Sequence, residues 1–69
     1  MGKEELSALV ALLDGDCTPG ELAFRIGSSV KATERSVKRL EKQGYATTVD
    51  PNILHLTDAG LQRALSMRR

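Results

Sequence analysis

Residues 18–45 read TPGELAFRIGSSVKATERSVKRLEKQGY, and these residues decide the fold. Thr18-Pro19-Gly20-Glu21 opens a helix. A threonine hydroxyl can cap it, a proline suits its first position, and a glutamate three residues after the cap can reach back to the cap's own N–H. Leu22, Ala23 and Ile26 give this helix one apolar side, and Gly27 stops it early. Ser28-Ser29 then offers a fresh cap, with Ser29 best placed. A second helix runs from Val30 to about Gln43, where Gly44 ends it. At about 100° per residue, Val30, Thr33, Val37 and Leu40 form a core stripe. Lys31, Arg35, Lys38, Arg39 and Lys42 fall within about 100° of one another on the opposite side, with Glu34 and Glu41 on the flank.

Upstream of this stretch, Leu6, Leu9, Val10 and Leu13 recur at the i, i+3, i+4, i+7 spacing of a one-faced helix. That helix is expected from about Lys3 to Asp14, with Gly15 as its stop. Downstream, Tyr45 to Val49 is rich in strand formers, with Tyr45, Thr47 and Val49 on one face. Asp50-Pro51-Asn52 is a turn, and Ile53 to Leu56 is the returning strand. Thr57 can cap a last helix with Leu61 and Leu65 inward, although Gly60 would weaken its first turn. The order is α-α-α-β-β-α, mainly α with a small β-hairpin, as one domain over residues 1–69. Two helices joined by a short glycine-containing turn make a helix-turn-helix, and a hairpin directly after the second helix is a wing. The expected fold is therefore a winged helix-turn-helix. Its expected core is Val10, Leu13, Leu22, Ile26, Val37, Leu40, Leu56, Leu61 and Leu65.

Size and composition exclude several functions. A chain of 69 residues buries only about 60% of the surface it exposes when unfolded, which leaves no room for a deep enzyme pocket beside a core. With 41% hydrophobic residues and a net charge of +1, it reads as folded rather than disordered. Cys17 and His55 are the only cysteine and histidine, too few for an internal disulfide or a tetrahedral zinc site. No carboxylate is set beside a histidine or a second acid for acid–base work, and Gly15 to Gly20 lacks the lysine and preceding strand of a phosphate loop. The expectation is no catalytic residue, no cofactor and no metal. No apolar run approaches the roughly 20 residues that span a bilayer. The N-terminal helix carries acids where a signal peptide wants bases. A cytoplasmic, reducing setting is expected. The near-neutral total also conceals an asymmetry. Residues 30–43 hold five bases and two acids, a charge of +3, while the remainder holds five bases and seven acids, a charge of −2.

The run from Leu22 to Ser29, followed by Arg35, Val37 and Arg39-Leu40-Glu41-Lys42-Gln43-Gly44-Tyr45, resembles the winged helix-turn-helix of MarR-type regulators. Leu56-Thr57-Asp58-Ala59-Gly60-Leu61 is similar to the signature that follows the wing in that family. Lrp-, ArsR- and PadR-type domains share most of this pattern. The resemblance implies duplex DNA binding by a small transcriptional regulator, with helix 30–43 in the major groove. By position, Ser29, Lys31, Ala32 and Arg35 would lie near bases, while Lys38, Arg39 and Lys42 would reach phosphates or the groove edge. Arginine is the commonest reader of guanine, and lysine and arginine neutralise phosphate, so the residue types suit these roles. The expected partners are double-stranded DNA and a second copy of the chain or another protein, with no membrane and no small-molecule effector. Three features depart from the family, one of them a very short hairpin. The wing tip, Asp50, Pro51 and Asn52, carries no base. The long flanking helices that build the family's dimer and effector pocket have no counterpart in the sequence. An uncharged wing also suits the alternative of a protein-interaction module or adaptor.

Overall fold

The computed structural model describes residues 2–68. Helix α1 spans Lys3–Ala11 and tightens into a 3-10 turn over Leu12–Asp14. Helices α2 (Pro19–Ile26) and α3 (Val30–Lys42) follow, then strands β1 (Ala46–Val49) and β2 (Ile53–Leu56), and finally helix α4 (Asp58–Met67). This is the expected order, mainly α with a two-stranded antiparallel hairpin.

Local chemistry explains the boundaries. At the start of α2, the Glu21 N–H donates to Thr18 Oγ1 at 3.2 Å and the Thr18 N–H donates to Glu21 Oε1 at 2.9 Å, so two orphan donors are satisfied reciprocally. Ser29 caps α3 by accepting from the Ala32 N–H at 3.1 Å. Both helices end on a left-handed glycine, Gly27 at φ 67° and Gly44 at φ 83°. The next N–H reaches back five residues in each case, Ser28 to the Ala23 carbonyl and Tyr45 to the Leu40 carbonyl. Those bonds satisfy carbonyls that a helix end would otherwise leave open.

The hairpin pairs Ala46 with Leu56 and Val49 with Ile53 around the Asp50-Pro51-Asn52 tip. It has a third member that the sequence pattern hides. Cys17 bridges Leu54, with the Leu54 N–H donating to the Cys17 carbonyl at 2.7 Å and the reverse bond at 3.3 Å. One residue of extended chain between α1 and α2 therefore pins the wing to the helices.

The core is centred elsewhere than the apolar spacing implies. Leu22, Val37 and Leu40 are buried as expected, joined by Ala8, Leu9, Leu12, Cys17, Ala46, Leu54 and Ala64. Leu13, Ile26 and Leu56 are half-buried against that core, and Val10 is half-buried. Leu61 and Leu65 are exposed at 43% and 50%, contrary to expectation. The reason is Gly60. A Cβ there would stand 1.8 Å from the Tyr45 carbonyl oxygen and 2.8 Å from its carbon. The bare Gly60 edge lets α4 approach the Gly44-Tyr45 turn after α3 closely, so Gly60 and Ala64 face inward and the two leucines turn outward. Thr57 fixes that approach: its hydroxyl donates to the Gly44 carbonyl at 2.6 Å and accepts from the Gly60 N–H at 3.0 Å. In β1 the inward residue is Ala46, and Tyr45, Thr47 and Val49 do not share a buried face. On α3, Ser36 replaces the half-exposed Val30 in the stripe of Thr33, Val37 and Leu40.

Candidate nucleic-acid interface

Helix α3 presents its basic face where the turn, the cap and the hairpin all hold it. Lys31, Arg35, Lys38 and Lys42 are exposed and form no ion pair among the described residues. A groove opens between this face and the hairpin, lined by Lys31, Arg35 and Lys38 from α3, by Thr48 from β1 and by Asn52 from the wing tip. The Thr48 hydroxyl donates to the Glu41 carboxylate at 2.6 Å, which holds β1 against the C-terminal half of α3. Asp50 and Pro51 are exposed beside Asn52, so the tip carries an amide and a carboxylate but no cation, and of the three only Asn52 lines the groove.

The other expected site residues divide. Ser29 is exposed at the N-terminus of α3, but its oxygen already accepts from Ala32, and Ala32 is half-buried. Arg39 stands apart from the four free bases. Its Nη1 lies 3.3 Å from Glu5 Oε1 on α1, and while the arginine side chain is 66% exposed, the glutamate is 7% exposed. Arg39 therefore compensates a nearly buried carboxylate and braces α1 against α3. A second acid beside it does the same for the turn. Glu4 accepts from the Ser28 hydroxyl at 2.8 Å and from the Ser36 hydroxyl at 3.4 Å. Sequence spacing missed Glu4 and Glu5 as supports, because their partners lie 24 to 34 residues away.

Three other groups are accounted for by structure. The Glu21 carboxyl titrates below its ordinary range because the Thr18 N–H and hydroxyl donate to it. Burial pushes the Cys17 thiol up, which disfavours the reactive thiolate. His55, on the face of the hairpin, has its Nδ1 3.0 Å from both oxygens of Asp16, a pairing the sequence does not reveal. Both side chains are about half-exposed, and the pair ties β2 to the segment that carries Cys17. Among the described residues no cluster of three or more potential metal ligands occurs, and no helix is long and apolar enough to cross a membrane.

A helix-turn-helix with a basic second helix and a hairpin beside it defines the class: a winged helix of the regulator type. A family model described as "MarR family" matches residues 1–52. The chain belongs to the MarR family. Among similar solved structures is the PcaV transcriptional regulator of Streptomyces coelicolor, 27% identical with a TM-score of 0.85, where the match covers 99% of this chain and 55% of that one. The transcriptional regulator Tm0710 of Thermotoga maritima is 28% identical with a TM-score of 0.79, covering 94% and 49%. ZitR of Lactococcus lactis has a TM-score of 0.86 over 94% and 46% but only 18% identity, so it shares the fold alone. The chain thus spans about half the length of these solved proteins. No curated protein matches the sequence. PcaV was solved in complex with its natural ligand.

Proposed function

We propose that this chain is the DNA-binding part of a cytoplasmic transcriptional regulator, and that it places α3 in the major groove of duplex DNA. It acts as a binding module rather than an enzyme. The observation that carries this reading is the set of four exposed, unpaired bases on α3, Lys31, Arg35, Lys38 and Lys42. Lys31 and Arg35, near the N-terminus of α3, read base edges alongside Ser29 and Ala32. Lys38 and Lys42 meet phosphate, and Arg39 contributes mainly as the brace to Glu5. The wing tip sits over the backbone without a cation of its own, with Asn52 available to donate from its amide. The adaptor reading is not favoured, because the family match and the similar solved structures are transcriptional regulators and α3 exposes four unpaired bases.

The chain acts as a homodimer on a two-part site, with half-sites about one helical turn apart. Leu61 and Leu65 on α4, and the apolar shallow of Leu6, Val10, Ile26 and Met67, supply the contact between copies. The test of the DNA reading is a duplex titration at low salt. Arg35→Ala is expected to lose about 1–3 kcal/mol of specific binding while sparing non-specific binding. Lys42→Ala is expected to weaken all duplexes about equally and lower the salt slope by about 1. Unchanged duplex affinity in both variants would sink the proposal.

A further inference from the structure

We infer that Glu34 is a specificity residue of the α3 face, and that it selects cytosine by accepting a hydrogen bond from its exocyclic amino group. This rests on the reading of α3 as the major-groove helix.

The acids around the site have defined work. Glu4 holds Ser28 and Ser36, Glu5 holds Arg39, Glu21 closes the α2 cap, and Glu41 holds Thr48. Glu34 is the exception on α3. Its side chain is exposed, and among the described residues it forms no hydrogen bond and no ion pair. Lys31 lies three positions before it and Lys38 four positions after it, close enough along the helix to pair, yet neither is within ion-pair distance. Glu34 instead lines the groove between α3 and the hairpin together with those two lysines, Arg35 and Asn52.

A free carboxylate at this place is costly for binding that relies on phosphate, because it repels the backbone that its neighbours attract. It can gain only from a donor on the floor of the groove. The major groove offers amino donors on cytosine and adenine, and Glu and Asp pair with the cytosine amino group. Guanine and thymine present carbonyl oxygens there, which face a carboxylate with like partial charge. Glu34 is the fifth residue of α3, within the N-terminal half that enters the groove in this fold. Arg35 beside it suits guanine, so the adjacent pair Glu34-Arg35 matches a step that offers a cytosine amino group next to a guanine acceptor edge.

The experiment selects bound duplexes from a random pool with the full chain, and repeats the selection with Glu34→Gln, Glu34→Ala and the control Asp14→Asn, an exposed acid outside the groove. The unaltered chain is expected to enrich cytosine at one position of each half-site. That preference is expected to fall at least about fivefold in Glu34→Ala. In Glu34→Gln it should shift toward adenine, which glutamine pairs through its amide. Both Glu34 variants should bind scrambled duplex more tightly at low salt, and Asp14→Asn should keep the original preference. Selected sequences identical in all four proteins overturn the inference while leaving the DNA reading intact. So does a uniform gain in affinity with no change of preferred base, which would make Glu34 a brake on non-specific binding and nothing more. No enrichment and no duplex binding by the unaltered chain removes both readings together.

Discussion

At the residue scale, Gly60 and Glu21 show two ways in which one side chain, or the lack of one, sets a boundary. A Cβ at Gly60 would penetrate the Tyr45 carbonyl, which is backbone and has no flexible end to yield. Gly60→Ala is therefore expected to destabilise the domain by about 2–3 kcal/mol in urea unfolding, despite the gain in helix propensity that alanine brings. Glu21 acts through charge. Its carboxyl titrates below the unfolded value because Thr18 donates to the ionised form, so the cap's contribution is complete at neutral pH. That contribution is lost as pH falls through the folded-state pKa. The Thr18 amide resonance should report this loss in an acid titration, and Glu21→Gln should abolish the pH dependence of that resonance.

At the element scale, α3 carries two kinds of base that spacing alone cannot separate. Lys38 and Arg39 are adjacent and both are exposed, yet only Arg39 reaches an acid on another helix. Arg39→Ala should lower unfolding stability by about 1 kcal/mol, because it strands the nearly buried Glu5 carboxylate, and should change the salt dependence of DNA binding little. Lys38→Ala should do the reverse, leaving the melting temperature alone while reducing the log–log salt slope by about 1. The helix starts were legible because caps are local: Thr18, Ser29 and Thr57 each bond to an N–H three residues on. The face of α4 was not legible. Leu61 and Leu65 have the spacing of a core stripe, and the close approach at Gly60 overrides it.

For the whole molecule, the near-neutral net charge separates into a basic face on α3 and acids that are largely engaged elsewhere. Glu4, Glu5, Asp16, Glu21 and Glu41 all hold partners within the fold, so the four free bases of α3 act with little internal competition. With the two phosphate contacts of Lys38 and Lys42 in each protomer, the log–log salt slope should be about −1.8, and about twice that when a dimer fills both half-sites. Sedimentation at rising concentration tests the dimer. Leu61→Lys with Leu65→Lys should leave the domain folded, since both side chains are already exposed, while the dimer and the doubled slope disappear.

The order of elements, the helix caps, the glycine stops and the basic stripe of α3 follow from the sequence itself, because each is set by residues within a turn or two of one another. Three features needed the tertiary structure. Cys17 becomes a strand residue only because Leu54 arrives beside it. Glu4 and Glu5 become supports of the turn and of α3 only when α1 packs across them. Both Glu34 and Glu41 line the groove, and what separates them is the hairpin, which delivers the Thr48 hydroxyl to Glu41 and leaves the exposed Glu34 carboxylate without a partner among the described residues. In each case the partners are far apart in the chain, and local periodicity carries no information about contacts made by folding.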